Sequence, residues 1–182
     1  TTFVASLLVS TIRFGFMTLT ELRCLVLISI VSLLYSLKLK TVILTGANSG
    51  IGFAASKILT STEQYEVVFA CRSREKAEKA IHSLPKENQK FARFEYLDLN
   101  NLQNVRDFAD RWKGRTIDVL ALNAGIQVGN SQKEALRSQQ GYEQTIATNH
   151  IGHFLLVTRL LSSVNKDSGR IVFTASGVHN PD

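Results

Sequence analysis

Cysteine is scarce in this 182-residue chain, and the two that occur, Cys24 and Cys71, point to neither a metal nor a cystine framework. Neither stands at ligand spacing from another Cys or a His, which speaks against a zinc module and a disulfide-stapled scaffold and leans the redox compartment towards reducing. Charge of one sign is missing as well. The net charge of +6 comes from Lys and Arg spread among Asp and Glu, so the surface reads as solvated and no nucleic-acid partner is expected. There are no internal repeats and no low-complexity segments. No uncharged run is long enough to cross a bilayer as a straight helix, which takes about 20 residues, and the apolar run at residues 24–37 falls short. Methionine occurs once, at Met17. The stretch Met17-Thr-Leu-Thr-Glu-Leu-Arg23 before an apolar run reads like a natural protein start, so residues 1–16 are expected to be upstream sequence or the remnant of a longer leader.

What is present falls into two parts. Residues 1–37 are rich in Leu, Val, Ile, Ser and Thr, and residues 1–39 are expected to form a hydrophobic leader or membrane anchor. No small-x-small site precedes Lys38 and Lys40, and the first strand begins at Thr41, so an uncleaved anchor or interfacial helix is the reading, with membrane association through residues 17–37. Arg13 and Arg23 on one side balance Lys38 and Lys40 on the other, which leaves orientation open. Residues 40–182 read as one domain, and the chain is 45% apolar, enough for a single core.

That domain is organised around residues 41–52, Thr-Val-Ile-Leu-Thr-Gly-Ala-Asn-Ser-Gly-Ile-Gly. Aliphatic and β-branched residues run to Thr45, glycines follow at 46, 50 and 52, and an apolar helix pattern starts at once, giving strand, tight turn and helix N-terminus. Such a corner binds phosphate, because the free N–H groups of the first helical turn face outward and the missing side chains admit a diphosphate to the backbone. Strand patterns recur at 66–71, 91–97, 116–122 and 170–175. Helix patterns separate them at 73–84, 102–112 and 141–164, the last entered from a polar loop at 129–140. Strands parted in this way need right-handed crossovers, so the expected fold is an α/β doubly wound parallel sheet, a Rossmann fold.

Ligands of such sheets lie at the carboxyl ends of the strands. After the second strand, where an NAD-specific protein would carry Asp or Glu, stands Arg72, with Arg74 close behind. A guanidinium binds a 2′-phosphate with two charge-assisted hydrogen bonds, so the position points to NADP(H). Asp98-Leu99 follows the third strand, where a carboxylate could accept the adenine amino group or cap the next helix. Asn123-Ala124-Gly125 follows the fourth, with the small residues that let backbone pass close to a ribose or nicotinamide.

Thr-Gly-Ala-Asn-Ser-Gly-Ile-Gly at 45–52, Ala-Cys-Arg-Ser at 70–73, Asp-Leu at 98–99, Leu-Asn-Ala-Gly at 122–125, Thr-Asn-His-Ile-Gly-His-Phe-Leu-Leu at 148–156 and Gly-Arg-Ile-Val-Phe-Thr-Ala-Ser at 169–176 occur in that order. Together they resemble the short-chain dehydrogenase/reductase family, in its NADP-dependent form. Within it, 148–156 and Ala-Cys-Arg resemble the retinol dehydrogenase group and the light-dependent protochlorophyllide oxidoreductases. Gly125, where the latter usually have Ala, and Ser176 lean towards the former. The resemblance implies that Gly46, Asn48, Ser49, Gly50, Ile51, Gly52, Arg72, Asp98, Leu99, Asn123, Ala124 and Gly125 bind NADP(H). It implies that Ser176 hydrogen-bonds the substrate oxygen and that Asn149 holds a proton-relay water in a bulge of the long helix. His150 and His153 read as core or subunit contacts rather than metal ligands, and the 141–164 helix as a homodimer surface.

The family's proton donor, a tyrosine in Tyr-x-x-x-Lys, is missing. Tyr35, Tyr65, Tyr96 and Tyr142 are followed four places on by Leu39, Phe69, Asn100 and Ile146. The resemblance therefore implies a chain cut short after the fifth strand and inactive by itself. For the whole protein it implies hydride transfer between NADP(H) and a lipophilic carbonyl or alcohol such as a retinoid or sterol, at a membrane, with the endoplasmic reticulum ahead of plastid or cytoplasm. Two alternatives stand beside it, reduction of a porphyrin double bond and a non-catalytic NADP-binding scaffold.

Overall fold

The computed structural model describes residues 23–30, 38–127 and 136–176. The chain divides into two compact units, Thr1–Lys38 and Leu39–Asp182. In the first unit, residues 23–30 are helical and exposed. Among the described residues no helix is long and apolar enough to cross a membrane. This finding overturns the expected membrane anchor, the membrane association through residues 17–37 and the endoplasmic-reticulum membrane location. Residues 1–22 and 31–37, on which much of that expectation fell, lie outside the described residues.

The second unit carries strands β1 (Lys40–Thr45), β2 (Tyr65–Cys71), β3 (Ala92–Tyr96), β4 (Val119–Leu122) and β5 (Arg170–Phe173). All neighbours pair in parallel in the order β3-β2-β1-β4-β5, the expected doubly wound sheet. Val42, Ile43, Leu44 and Thr45 are all buried, as a central strand covered on both faces requires. Alternation then sorts the core. Val42, Leu44, Val67 and Phe69 join Ala77, Ala80 and Leu84 on one face, while Ile43, Val68 and Leu120 join Phe108, Trp112, Leu156 and Leu160 on the other.

Helices α1 (Gly50–Ser61), α2 (Arg74–His82), the short α3 (Lys86–Gln89) and α4 (Leu102–Arg111) fill the crossovers. Then Gln144–Ile146, a π-helical turn Ala147–Ile151 and Gly152–Leu160 run on without a break as α5. The residues that α1 buries fully are the small-residue stripe Gly52, Ser56 and Thr60, and the apolar Phe53, Ala55 and Leu59 pack partly buried against the core beside it. Small side chains let it lie close to the sheet, and the Ser56 and Thr60 hydroxyls are satisfied by the carbonyls of Gly52 and Ser56, each at 2.9 Å.

Side chains set the element ends. Ser73 accepts the Lys76 N–H and starts α2. Asn101 accepts from Gln103 and Asn104 and starts α4. The Glu143 carboxylate accepts from Thr145 and Ile146, both at 2.8 Å, so α5 begins later than position 141. Asp118 takes the Thr41 N–H on its carboxylate at 2.8 Å, and the β1–β4 ladder opens only at Val42 and Val119.

Candidate cofactor-binding site

The carboxyl ends of β1, β2, β4 and β5, with the loop after β3, border a pocket of about 590 Å3. Its floor is the turn between β1 and α1. Gly46 has φ +66°, and a Cβ there would stand 2.9 Å from the Ala124 Cα, so only glycine lets this turn pass the loop after β4. Gly52 does not line the pocket but sets its depth: a Cβ would meet the Gly46 carbonyl oxygen at 2.4 Å and Asn123 Nδ2 at 2.6 Å. Ser49 places no side-chain cap on α1 and the first turn holds no acidic residue. Its N–H groups, which have no partner inside the helix, are left for an anion at the positive end of the helix dipole.

Of the residues expected to bind cofactor, Gly46, Asn48, Ser49, Gly50, Ile51, Arg72, Asp98, Leu99, Asn123, Ala124 and Gly125 line this one pocket. Arg72 follows β2 and is exposed, with no hydrogen bond or ion pair of its side chain among the described residues. Arg74 is used elsewhere. Its guanidinium bonds Glu78 at 2.8 Å and lies 4.6 Å from the Phe94 ring centroid. Lys76, which the sequence reading passed over, joins Arg72 at the pocket through the turn that Ser73 caps. Its signal was its place three residues after a Ser N-cap, one helical turn from Arg72. Asp98 is released from capping α4 because Asn101 takes that task, and one of its oxygens accepts the Asn100 N–H at 3.0 Å.

Asn123 is a structural joint. Its Nδ2 donates to the Thr45 carbonyl at 3.1 Å and its Oδ1 accepts from the Thr174 hydroxyl at 3.3 Å, linking β1, β4 and β5. Thr45 accepts the Asn123 and Ala124 N–H groups on its hydroxyl, each at 2.9 Å. Cys71 packs beneath the turn. Burial pushes its thiol up, against the opposing pull of the backbone N–H groups of Asn48, Ala47 and Gly46, so it stays protonated at neutral pH.

Asn149 lies in the π turn, so the bulge expected in the long helix is present. Its amide is spent on the loop after β4: Oδ1 accepts the Ile126 N–H at 2.8 Å and Nδ2 donates to the Ile126 carbonyl at 2.9 Å. Ile126 in turn lines the pocket, as do Thr148 and Thr174, none of which the sequence reading singled out. Ser176 is exposed, three residues beyond β5, and is not among the residues lining the pocket. His153 is buried in α5, its Nδ1 3.1 Å from the Asn149 carbonyl. His150 is exposed.

Comparison with known proteins agrees with this geometry. The chain is 41% identical over 137 residues to a chloroplastic protochlorophyllide reductase of Cucumis sativus, covering 73% of this chain and 33% of that protein. It is 39% identical over 148 residues to the protochlorophyllide reductase of Daucus carota, covering 78% and 36%. The chain thus spans about a third of the length of the curated relatives it matches. Among solved structures, the alcohol dehydrogenase of Thermococcus sibiricus complexed with 5-hydroxy-NADP is 26% identical and superposes with a TM-score of 0.62, over 76% of this chain and 59% of that one. Residues 40–180 match the model of the short chain dehydrogenase family, and the chain belongs to that family.

Proposed function

We propose that the protein is an NADP(H)-dependent oxidoreductase, and that its substrate chemistry is that of the protochlorophyllide reductases, reduction of a carbon–carbon double bond in a large conjugated ring. NADP(H) is the cofactor of this site. The residues present fit it: a first helical turn with free N–H groups and no acid for the diphosphate, Arg72 and Lys76 for the 2′-phosphate, and a buried hydroxyl at Thr148 without a partner among the described residues. When bound, NADPH supplies a hydride. On this reading Ser176 contacts the substrate, and Asn149 shapes the nicotinamide side of the pocket by fixing Ile126.

Arg72 carries the cofactor assignment, as a guanidinium unpaired among the described residues where an acidic residue would serve NAD. Titration of the chain with NADPH and NADH, followed by cofactor fluorescence, tests it. The expected result is tighter binding of NADPH, with Arg72→Asp abolishing the preference; equal binding of both cofactors by the wild-type chain overturns it.

The double-bond reading over the retinoid and sterol one is supported by the plant reductases just described. Gly125, the residue that leaned the other way, carries no such weight. A Cβ there would meet Asn149 Oδ1 at 3.7 Å, an ordinary contact, so Gly and Ala are interchangeable at this position. In the whole protein, light-driven NADPH oxidation with protochlorophyllide is the expected activity, and dark reduction of retinal in its place would return the reading to the carbonyl reductases.

A further inference from the structure

Thr148 is 8% exposed, and its hydroxyl oxygen is buried without a hydrogen-bond partner among the described residues. That is an unusual state. Buried hydroxyls are nearly always paired, because leaving one unpaired forfeits its water without replacement. A helical Thr or Ser normally returns its hydroxyl to the carbonyl three or four residues back. Ser56, Thr60 and Thr158 all do so in this chain. Thr148 does not, and it sits inside the π turn Ala147–Ile151, where the winding departs from that of the α-helix.

Its position says what the hydroxyl awaits. Thr148 lines the pocket. One turn further along α5 on the same face is Gly152, packed so closely on the loop after β3 that a Cβ would stand 2.3 Å from the Leu99 carbonyl oxygen. Thr148 is thus one turn from the point where α5 meets Leu99, and Leu97, Asp98, Leu99, Arg72 and Lys76 line the same pocket. Resting on the cofactor assignment above, we infer that the Thr148 hydroxyl is a hydrogen-bonding contact for the adenosine half of the dinucleotide. A hydroxyl donates one hydrogen bond and accepts others, so it suits an adenine ring nitrogen or a ribose hydroxyl equally. A buried hydroxyl left unpaired by the protein costs stability, and a ligand contact removes that cost, so this residue spends its interaction on the ligand rather than on the fold.

The test compares the wild-type chain with Thr148→Val, which keeps the shape and deletes the hydroxyl, and Thr148→Ser, which keeps the hydroxyl. Calorimetric titrations use NADPH, 2′-phospho-ADP-ribose for the adenosine half and nicotinamide mononucleotide for the other. Thr148→Val is expected to weaken NADPH and 2′-phospho-ADP-ribose by the same factor, about tenfold, as the loss of one hydrogen bond predicts. It should leave nicotinamide mononucleotide unchanged. Its melting temperature without ligand should equal or exceed that of the wild-type chain, which a residue needed for folding would not allow. Thr148→Ser should bind within about twofold of wild type. Wild-type affinity in Thr148→Val, a drop in its ligand-free melting temperature, or an equal loss in Thr148→Ser would overturn the inference while NADPH binding by the wild-type chain still stood. Absence of that wild-type binding would overturn both.

Discussion

Thr45 Oγ1 and His153 Nε2 lie 2.9 Å apart beneath the cofactor pocket, joining the first strand to the long helix across a sequence separation of 108. The protons in this pair are fixed by their other partners. His153 Nδ1 faces the Asn149 carbonyl, which can only accept, so in the neutral ring Nδ1 carries the proton and Nε2 is bare. Thr45 then donates to Nε2, while its two lone pairs take the Asn123 and Ala124 N–H groups. The hydroxyl is used in full. Thr45→Val keeps the volume and leaves two amides and an imidazole nitrogen unpaired, so a loss of about 3 kcal/mol is expected in urea unfolding. Thr45→Ser should recover most of it, and a Val variant as stable as wild type would show that the network does not hold the loop after β4.

The same pair sets a pH dependence. Burial pulls His153 below its ordinary value, the Asn149 carbonyl opposes this, and neighbouring His150 adds to the pull. The fold favours the neutral ring and the unfolded chain takes up the proton first, so stability rises with pH across the window between the two values. The contribution is complete above about pH 6.5, the ordinary value, and is lost as pH falls through the lowered one. In structural terms a protonated Nε2 turns donor towards a hydroxyl whose lone pairs are already taken. Urea midpoints measured from pH 7.5 to 5 should fall for wild type and fall less for His153→Gln, whose amide does not titrate; parallel slopes would rule His153 out as the group responsible.

The glycines of the phosphate-binding corner divide by what surrounds them. Gly52→Ala drives a methyl into the Gly46 carbonyl and the Asn123 amide and should cost about 3 kcal/mol or more, with cofactor binding lost. Gly50 has φ +52° but open space around it, so Gly50→Ala meets backbone strain alone, about 1–2 kcal/mol. Gly125→Ala has neither obstacle and should stay within about 0.5 kcal/mol of wild type. Melting curves with and without NADPH check the order, and a Gly125→Ala as damaging as Gly52→Ala would refute it.

These contrasts show where the sequence is legible. The strand–turn–helix corner, the basic residue after β2 and the alternation of strands with helices follow from local spacing and periodicity, because one element's pattern is enough to declare each. What was hidden depends on partners far along the chain. Asp98 and Asn101 are both fit to cap α4, and only the packed loop assigns the cap to Asn101. The bonds of the Asn149 amide to Ile126, a separation of 23 away, have no local signal in the sequence. The short helix α3 follows Pro85 and is too brief to show a period. The apolar residues of 17–37 suggested an anchor, whereas no helix among the described residues is long and apolar enough to cross a membrane.

Asn149 offers the last test, because its two bonds to Ile126 separate the geometry of the pocket from the stability of the fold. Both bonds are partly open to water, so each contributes modestly, about 1 kcal/mol or less, and Asn149→Ala should shift the melting temperature little. Ile126 lines the pocket, and a loop released there must be ordered again on binding. NADPH affinity is therefore expected to fall about tenfold, equivalent to about 1.4 kcal/mol. Asn149→Asp sharpens the case. One carboxylate oxygen can still accept the Ile126 N–H, but the other faces the Ile126 carbonyl with no proton to share, so the aspartate should bind NADPH no better than the alanine at neutral pH. Titration of both variants at pH 7.5 reads this directly, and an aspartate variant with wild-type affinity would show that the donor half of the clamp has no part in shaping the site.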